Sequence, residues 1–397
     1  MIQVVGGVYL ERCIQPRWNQ LFGSAGRATA ALASLGDVEL FTYVEDALKR
    51  ELEARIRSFG QAAVKANRIA KTISFDYVHP LSNPVILPPL SLLSPAPSLS
   101  VKGDVVLRFG MLEGDAVVTG ERVIYDPQSA TSPAFFGANG SRAHQLAVVL
   151  NSYELRLLTG IEDVTAGARA VRQRDNAHVV IVKRGSRGAL IVTDSGVREV
   201  PAYRTPLVFS IGSGDIFASA FARFWGVEGH PPERAADLAS RSAARYCESR
   251  SAPLATAEQL DSLALTTVTS SAGRVYLAGP FFSLQERWLV EEARTHLKGM
   301  GLDVFSPLHD VGPGPAEVVA PADLAALGTC DRMLALLDGP DPGTLFEVGY
   351  ARSKGLPVVA LSETLSPEQL KMIVGSGCTH TRDFATAIHL CAWSGVQ

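Results

Sequence analysis

Strand-length apolar runs alternate with helix-period stretches along the whole chain, and this alternation constrains the fold more than any other feature. "IQVVGGVYL" precedes "GRATAALASLG", "VVIVKRG" and "GALIVT" flank a tight turn, and "RVYLAGP" runs into "QERWLVEEARTHLKGMG". Runs of the first kind read as strands and those with three-to-four-residue periodicity as helices. Repeated in this order they imply α/β architecture with mainly parallel sheets. The segment 80–100, "PLSNPVILPPLSLLSPAPSLS", interleaves Pro and Ser with apolar residues and reads as an ordered loop with extended pieces.

A chain of 397 residues exceeds the usual size of one domain. At 263–273, "LALTTVTSSAG", a helical pattern gives way to small polar residues before a new strand starts at Arg274. The expected division is therefore a domain over 1–262, a linker over 263–273 and a second domain over 274–397. The first can hold a large α/β core, and the second has room for a five-stranded doubly wound sheet.

Lys and Arg number 37 against 40 Asp and Glu, a net charge of −3, so nothing global points to nucleic acid or an anionic membrane. Small molecules are the expected partners. The five cysteines, Cys13, Cys247, Cys330, Cys378 and Cys391, are scattered without CxxC or paired-His spacing, which indicates neither a zinc site nor a disulfide framework. The N-terminus opens directly as a strand, and no stretch approaches ~20 uninterrupted apolar residues. A soluble, cytoplasmic protein is expected.

In "LVFSIGSGDIFASAFARFW" a strand-like "LVF" runs into Gly212, Ser213 and Gly214 and then into an apolar helix. Glycines there let backbone N–H groups converge on an anion at the helix N-terminus. Asp215 beside them could take the proton of an attacking hydroxyl while the N–H groups stabilise a transferred phosphoryl group. A glycine turn with Asp as helix cap is the alternative. "FGSAGRATAALASLG" (22–36) is a Gly/Ser turn into a small-residue helix, which permits close approach of a ligand at Gly23. Asn151 and Glu154 stand one helical turn apart, where both can face the same metal-bound phosphate. Asp126 and "FDYVHPLSNP" (75–84) are expected to shape the acceptor side or the surface, with His79 a hydrogen-bonded structural residue. The P-loop sequence GxxxxGK[ST] does not occur.

This ordered set resembles the PfkB (ribokinase-like) family of sugar and nucleoside kinases across 1–262. The resemblance implies a ribokinase-like α/β/α domain using ATP and Mg2+. It makes Asp215 the catalytic base and Gly212, Ser213 and Gly214 the anion hole, and sets Asn151 and Glu154 near magnesium and phosphate. Glu11 stands where the family usually has an Asp that holds sugar hydroxyls. Arg27 stands in place of the usual Asn, and only about ten residues (12–22) remain where many members have a β-stranded lid.

In the second half, "RVYLAGPFFS" is a strand ending in a Gly-Pro turn, which puts Gly279 at the carboxyl end of a parallel strand, where open α/β sheets bind ligands. The following helix carries Trp288, Leu289, Ala293 and Leu297 as its apolar residues. His309 and Asp310 tip the next strand, and Asp323, Asp331, Asp338, Asp341 and Glu347 follow. Several carboxylates at one sheet edge suit glycosyl chemistry, although Asp331 and Asp338 read as residues that end a strand and solvate a loop.

"VYLAGPFF", "ADLAAL..CD" and "DPGTLFEVGYA" together resemble the nucleoside 2-deoxyribosyltransferase family and its N-glycosidase relatives over 274–390. The resemblance implies a flavodoxin-like domain with Glu347 as nucleophile on the anomeric carbon, oriented by Tyr276. It also places Asp323 near the leaving base and Asp341 on the sugar 5′-hydroxyl. A carboxylate at 341 repels a phosphate dianion and favours a free nucleoside. "EQLKMIVGSGC" lacks the Asn that transferases contribute to a neighbouring subunit. Sites shared between subunits in this family imply a homo-oligomer.

The expectation is a bifunctional enzyme of nucleoside metabolism and salvage. One domain cleaves or transfers an N-glycosidic bond, and the other phosphorylates a pentose or nucleoside hydroxyl. The alternatives are a kinase that makes a 5′-monophosphate for hydrolysis by the second domain, and a kinase-like domain that senses nucleotide without turnover.

Overall fold

Neighbouring residues of the central strands are buried in different clusters: Ala147 and Val149 in one, Leu146, Val148 and Leu150 in the other. A strand apolar at every position needs cover on both faces, which is why "LAVVL" reads as a continuous run. The computed structural model describes residues 1–129, 131–268 and 272–394. It divides into two compact units, Met1–Thr205 with Phe209–Val268, and Pro206–Val208 with Thr269–Gln397. Of the expected linker, 269–271 lie outside the described residues, as do 395–397 of the expected second domain.

The first unit contains β1 (Ile2–Val5), β2 (Leu10–Cys13), β3 (Trp18–Leu21), β4 (Val38–Val44), β5 (Ala62–Arg68), β6 (Ser74–Tyr77) and β7 (Val85–Leu87). It continues with β8 (Leu99–Phe109), β9 (Ala116–Asp126), β10 (Arg142–Asn151), β11 (Val179–Lys183), β12 (Ala189–Thr193) and β13 (Gly196–Val200). Nine of these form one sheet in the order β13-β12-β11-β10-β9-β8-β1-β4-β5. It is parallel except where β12 pairs with β11 and β13. Helices Gly23–Leu32, Asp46–Arg57, Ser213–Phe221 and Pro232–Ser249 pack Ala28, Leu52, Ile216 and Leu238 into one cluster. Helices Ser152–Thr159 and Val164–Arg174 give Leu155, Ala168 and Val171 to the other, so helix, sheet and helix are layered.

Three local expectations are corrected. The short segment 12–22 is not all of the small sheet, because β3, β2, β6 and β7 pair in that order into four strands. Half of it comes from "SFDY" and "VIL", more than fifty residues beyond β3, so no local pattern announces it. "LVF" at 207–209 is not a strand, and the Phe209 N–H instead bonds the Cys247 carbonyl. Within the expected linker, the Arg204 N–H bonds the Thr266 carbonyl and the Val268 N–H bonds the Ala202 carbonyl, so these residues run beside 202–204.

The second unit contains β14 (Arg274–Ala278), β15 (Asp303–Phe305), β16 (Arg332–Leu336), β17 (Val358–Leu361) and β18 (Thr379–Thr381). All pair in parallel in the order β15-β14-β16-β17-β18. The order reverses beside β14, and the crevice at the carboxyl ends of β14 and β16 is the switch point where doubly wound sheets bind ligands. Helix Leu284–Gly299 buries Val290, Ala293 and Leu297, whereas Trp288, expected on that face, is exposed. Among the described residues no helix is long and apolar enough to cross a membrane.

Candidate active sites

Gly212 adopts φ +80°, a left-handed conformation that glycine enters freely, and it opens helix Ser213–Phe221. Ser213 turns inward: its N–H and its hydroxyl both donate to the Ser210 carbonyl, at 3.1 and 2.9 Å. The N–H groups left for an anion are therefore those of Gly212, Gly214 and Asp215, which narrows the expected role of Ser213. Asp215 follows in the first turn, 7% exposed.

Sequence reasoning missed what surrounds Asp215. Arg27, from helix Gly23–Leu32 and 1% exposed, donates from Nη1 to Asp215 Oδ2 at 2.6 Å and from Nη2 to Glu11 Oε2. Its guanidinium lies 5.4 Å from the Phe22 ring centroid and 5.9 Å from that of Tyr246. Burial opposes its charge, but the neighbouring Glu11, Tyr246 and Asp215 outweigh that and hold Arg27 firmly protonated. Burial dominates at Glu11 and raises its pKa in spite of Arg27. A Cβ on Gly212 would collide with the guanidinium, so the glycine is also what lets Arg27 in.

The second Asp215 oxygen accepts from Gln128 Nε2 at 2.7 Å, and Gln128 in turn accepts from the Ser24 hydroxyl. Gln128 holds φ +38°, uncommon for a residue with a side chain, on the loop that leaves β9. The signal for it was weak: two positions after Asp126, next to a proline.

Asn151 ends β10 and caps helix Ser152–Thr159. Its side chain accepts from the Glu154 N–H and Glu154 accepts from the Asn151 N–H, both at 2.8 Å. The pair thus has a structural use as a capping box beside whatever else it does. Asp126, fully buried, pairs with Lys183 Nζ at 2.5 Å, and its Oδ1 has no partner among the described residues. Burial raises the pKa of Asp126 and of Glu154 although Lys183 opposes it in both. Glu11, Gly23, Gly212, Gly214, Asn151 and Glu154 all line one cavity of about 600 Å³ with Arg27, Asp126, Gln128, Lys183 and Asp215. The small sheet adds Tyr77 and Ile86 to its wall. His79 is buried and its Nδ1 accepts from the Leu81 N–H.

In the second unit, Asp341 caps helix Pro342–Ser353 and Glu347 sits in its second turn, beyond the first-turn position expected of an acid that merely complements the dipole. Tyr276, fully buried on β14 with its ring 5.4 Å from that of Phe305, donates its hydroxyl to Glu347 Oε1 at 2.6 Å. Burial raises the Glu347 pKa to about 7; the Tyr276 hydrogen bond opposes the rise, while Asp323 and Asp341 add to it. Asp323, on helix Ala316–Leu327 and 8% exposed, has an Oδ1 without a partner among the described residues, and burial raises its pKa. Asp341 spends one oxygen on the Thr344 N–H (2.7 Å) and hydroxyl (3.0 Å). Gly279 follows β14, and a Cβ there would meet Leu336 on β16 at 3.0 Å. Asp338 accepts from the Glu363 and Thr364 N–H groups and so fixes that loop, while Asp331 accepts from the Arg274 N–H at the start of β14.

Residues 123–258 match the family model for the pfkB family carbohydrate kinases, and residues 275–379 match that for nucleoside 2-deoxyribosyltransferases. The chain thus carries a domain of the pfkB carbohydrate kinase family and a domain of the nucleoside 2-deoxyribosyltransferase family together. Among solved structures it is similar to a fructokinase from Vibrio cholerae O395 bound to fructose, ADP and calcium ion (16% identity, 66% of this chain and 98% of that one, TM-score 0.47). It is also similar to a ribokinase from Thermotoga maritima (17%, 66% and 97%, TM-score 0.44). A third is a pyrophosphate-dependent kinase of the ribokinase family in complex with a pyrophosphate analogue and myo-inositol (15%, 66% and 100%, TM-score 0.45). No curated protein matches the chain.

Proposed function

We propose that this chain is a bifunctional enzyme whose second unit cleaves or exchanges the N-glycosidic bond of a nucleoside, foremost a 2′-deoxynucleoside, and whose first unit phosphorylates a hydroxyl. The observation that carries the reading is the Tyr276 hydroxyl bound to Glu347 with a second buried carboxylic acid, Asp323, close enough to raise the Glu347 pKa.

Ionised Glu347 attacks the anomeric carbon as the bond to the base breaks, the bonding electrons leaving on the base nitrogen. Asp323, which burial biases toward its protonated form, donates a proton to that base. Tyr276 fixes the attacking carboxylate. Water, or a second base, then displaces the sugar from Glu347 on the opposite face, with net retention. Asp341 keeps one oxygen for the sugar 5′-hydroxyl, and its charge disfavours a 5′-phosphate.

In the first unit Asp215 takes the acceptor's proton, and the Gly212 and Gly214 N–H groups face the transferred group. Magnesium with ATP, when bound, supplies the phosphoryl group and offsets its charge. The donors fit a hard cation, because Asp126 Oδ1 is buried without a partner beside Glu154 and all are oxygens. Asn151 and Glu154 would hold the ion through water.

The test incubates the full chain with a panel of deoxynucleosides and ribonucleosides, without and with Mg·ATP, beside Glu347→Ala and Asp215→Asn, following free base and ADP. Base released without ATP and lost in Glu347→Ala is expected. Base released only when ATP and Asp215 are both intact would make a nucleotide the substrate of the second unit.

A further inference from the structure

The cavity of the first unit holds a conflict that phosphoryl transfer must resolve. Asp215 Oδ2, the oxygen a base would offer, is occupied by Arg27 Nη1 at 2.6 Å, and Oδ1 by Gln128. Arg27 also packs against Gly212, where the transferred group would be cradled. An acceptor hydroxyl reaches Asp215 only if Arg27 lets go, and a buried guanidinium that loses one of its two carboxylates must find another acceptor. A neutral hydroxyl replaces it poorly, since it returns no negative charge to a guanidinium held away from water. A second observation points the same way. Arg27 Nε has no partner among the described residues although the side chain is 1% exposed and lines the cavity. The Nε–H lies on the edge that Nη2 shares with Glu11, so it adds buried positive charge to be balanced and not a second donor beside Nη1.

Resting on the reading of this unit as a kinase, we infer that its acceptor is a small hydroxylated anion, a sugar phosphate or sugar acid, rather than a neutral pentose or nucleoside. Its anionic group takes over Arg27 from Asp215, and its hydroxyl then bonds the released carboxylate. The hydroxyl proton passes to Asp215, the oxygen forms a bond to the terminal phosphorus of ATP, and the bond from that phosphorus to ADP breaks with its electrons on ADP. Glu11 keeps the second arm of Arg27 in place throughout.

The experiment titrates the full chain calorimetrically with ribose, ribose 5-phosphate and gluconate in the presence of magnesium and a non-hydrolysable ATP analogue, and separately assays ADP release from Mg·ATP with each. At least one anion is expected to bind about tenfold or more tighter than ribose. Arg27→Met removes the preference, and Arg27→Lys, which keeps the charge without the fork, retains part of it. Preference for the phosphate alone or the carboxylate alone identifies the source of the anion. Ribose binding as tightly as both anions, no binding by any of the three, or a preference that survives in folded Arg27→Met overturns the inference. Should Arg27→Met not fold, Arg27→Lys and the wild-type comparison still decide it. Anion-selective binding without ADP release counts against the kinase reading alone and leaves the assignment of Arg27 standing.

Discussion

At the scale of single residues, the two candidate carboxylates sit in opposite surroundings, and each environment has measurable consequences. Glu347 has one hydroxyl donor, Tyr276, and two carboxylate neighbours, and burial raises its pKa from 4.5 to about 7. Base release should therefore fall as pH drops below about 7, because the protonated acid cannot attack; kcat/KM against pH reads this directly. The Tyr276 bond holds that pKa down, so Tyr276→Phe should move the limb upward and slow release about 10² to 10³-fold, within the range for loss of one preorganised donor. The same shift makes a stability statement. A folded-state pKa above the unfolded one means that ionisation costs the fold, with no penalty below about pH 4.5 and the full penalty above about 7. Glu347→Gln should then be inactive yet melt higher than wild type, by a gap that opens between those pH values and reaches about 3 kcal/mol at most. Gap-free melting curves across that range would contradict the assignment. Asp215 stood out because glycines precede it at the start of an apolar helix, whereas Glu347 and Tyr276 were singled out only by the family resemblance of the runs that hold them. The partnership of Arg27 with Asp215 was not legible, since 188 positions separate them and nothing local marks a residue as the counterion of another.

At the scale of elements, strands and helices followed from periodicity wherever an element buries its own pattern. "LAVVL" and "RMLAL" are apolar throughout because their sheets are covered on both faces. The four-stranded sheet was hidden because its strands β6 and β7 are half exposed and flanked by prolines, so their pairing is decided by β2 and not by their own composition. The start of helix Ser213–Phe221 depends on its glycine twice, once for the left-handed backbone and once for the guanidinium beside it. Gly212→Ala should accordingly cost about 2 kcal/mol or more, the backbone term alone being roughly 1–2. Gly137→Ala, whose Cβ meets nothing within 4 Å, should stay within about 0.5 kcal/mol. Denaturant midpoints of the two variants make the comparison. A Gly212→Ala midpoint equal to that of Gly137→Ala would mean that Arg27 does not rest where the glycine admits it.

At the scale of the whole molecule, each unit has its own sheet and its own apolar clusters: around Val149 and Val148 in the first, around Tyr276 and Met333 in the second. A unit with a complete core can unfold as a cooperative body, and chains built from two such units commonly depart from a single two-state transition. Differential scanning calorimetry of the full chain should therefore resolve two heat-absorbing events. Substitutions then label them: Glu347→Gln at pH 8 raises one, and Gly212→Ala lowers the other, because each acts on charge or packing inside one core. An ATP analogue with magnesium adds a third label, since a ligand of the native first unit stabilises that unit in proportion to the logarithm of its concentration over its Kd. If the analogue moves the event that Gly212→Ala lowers and spares the one that Glu347→Gln raises, nucleotide binding belongs to the first unit without any appeal to turnover. If it moves the Glu347 event instead, nucleotide is a ligand of the second unit, and the preference for free nucleosides argued from Asp341 is wrong.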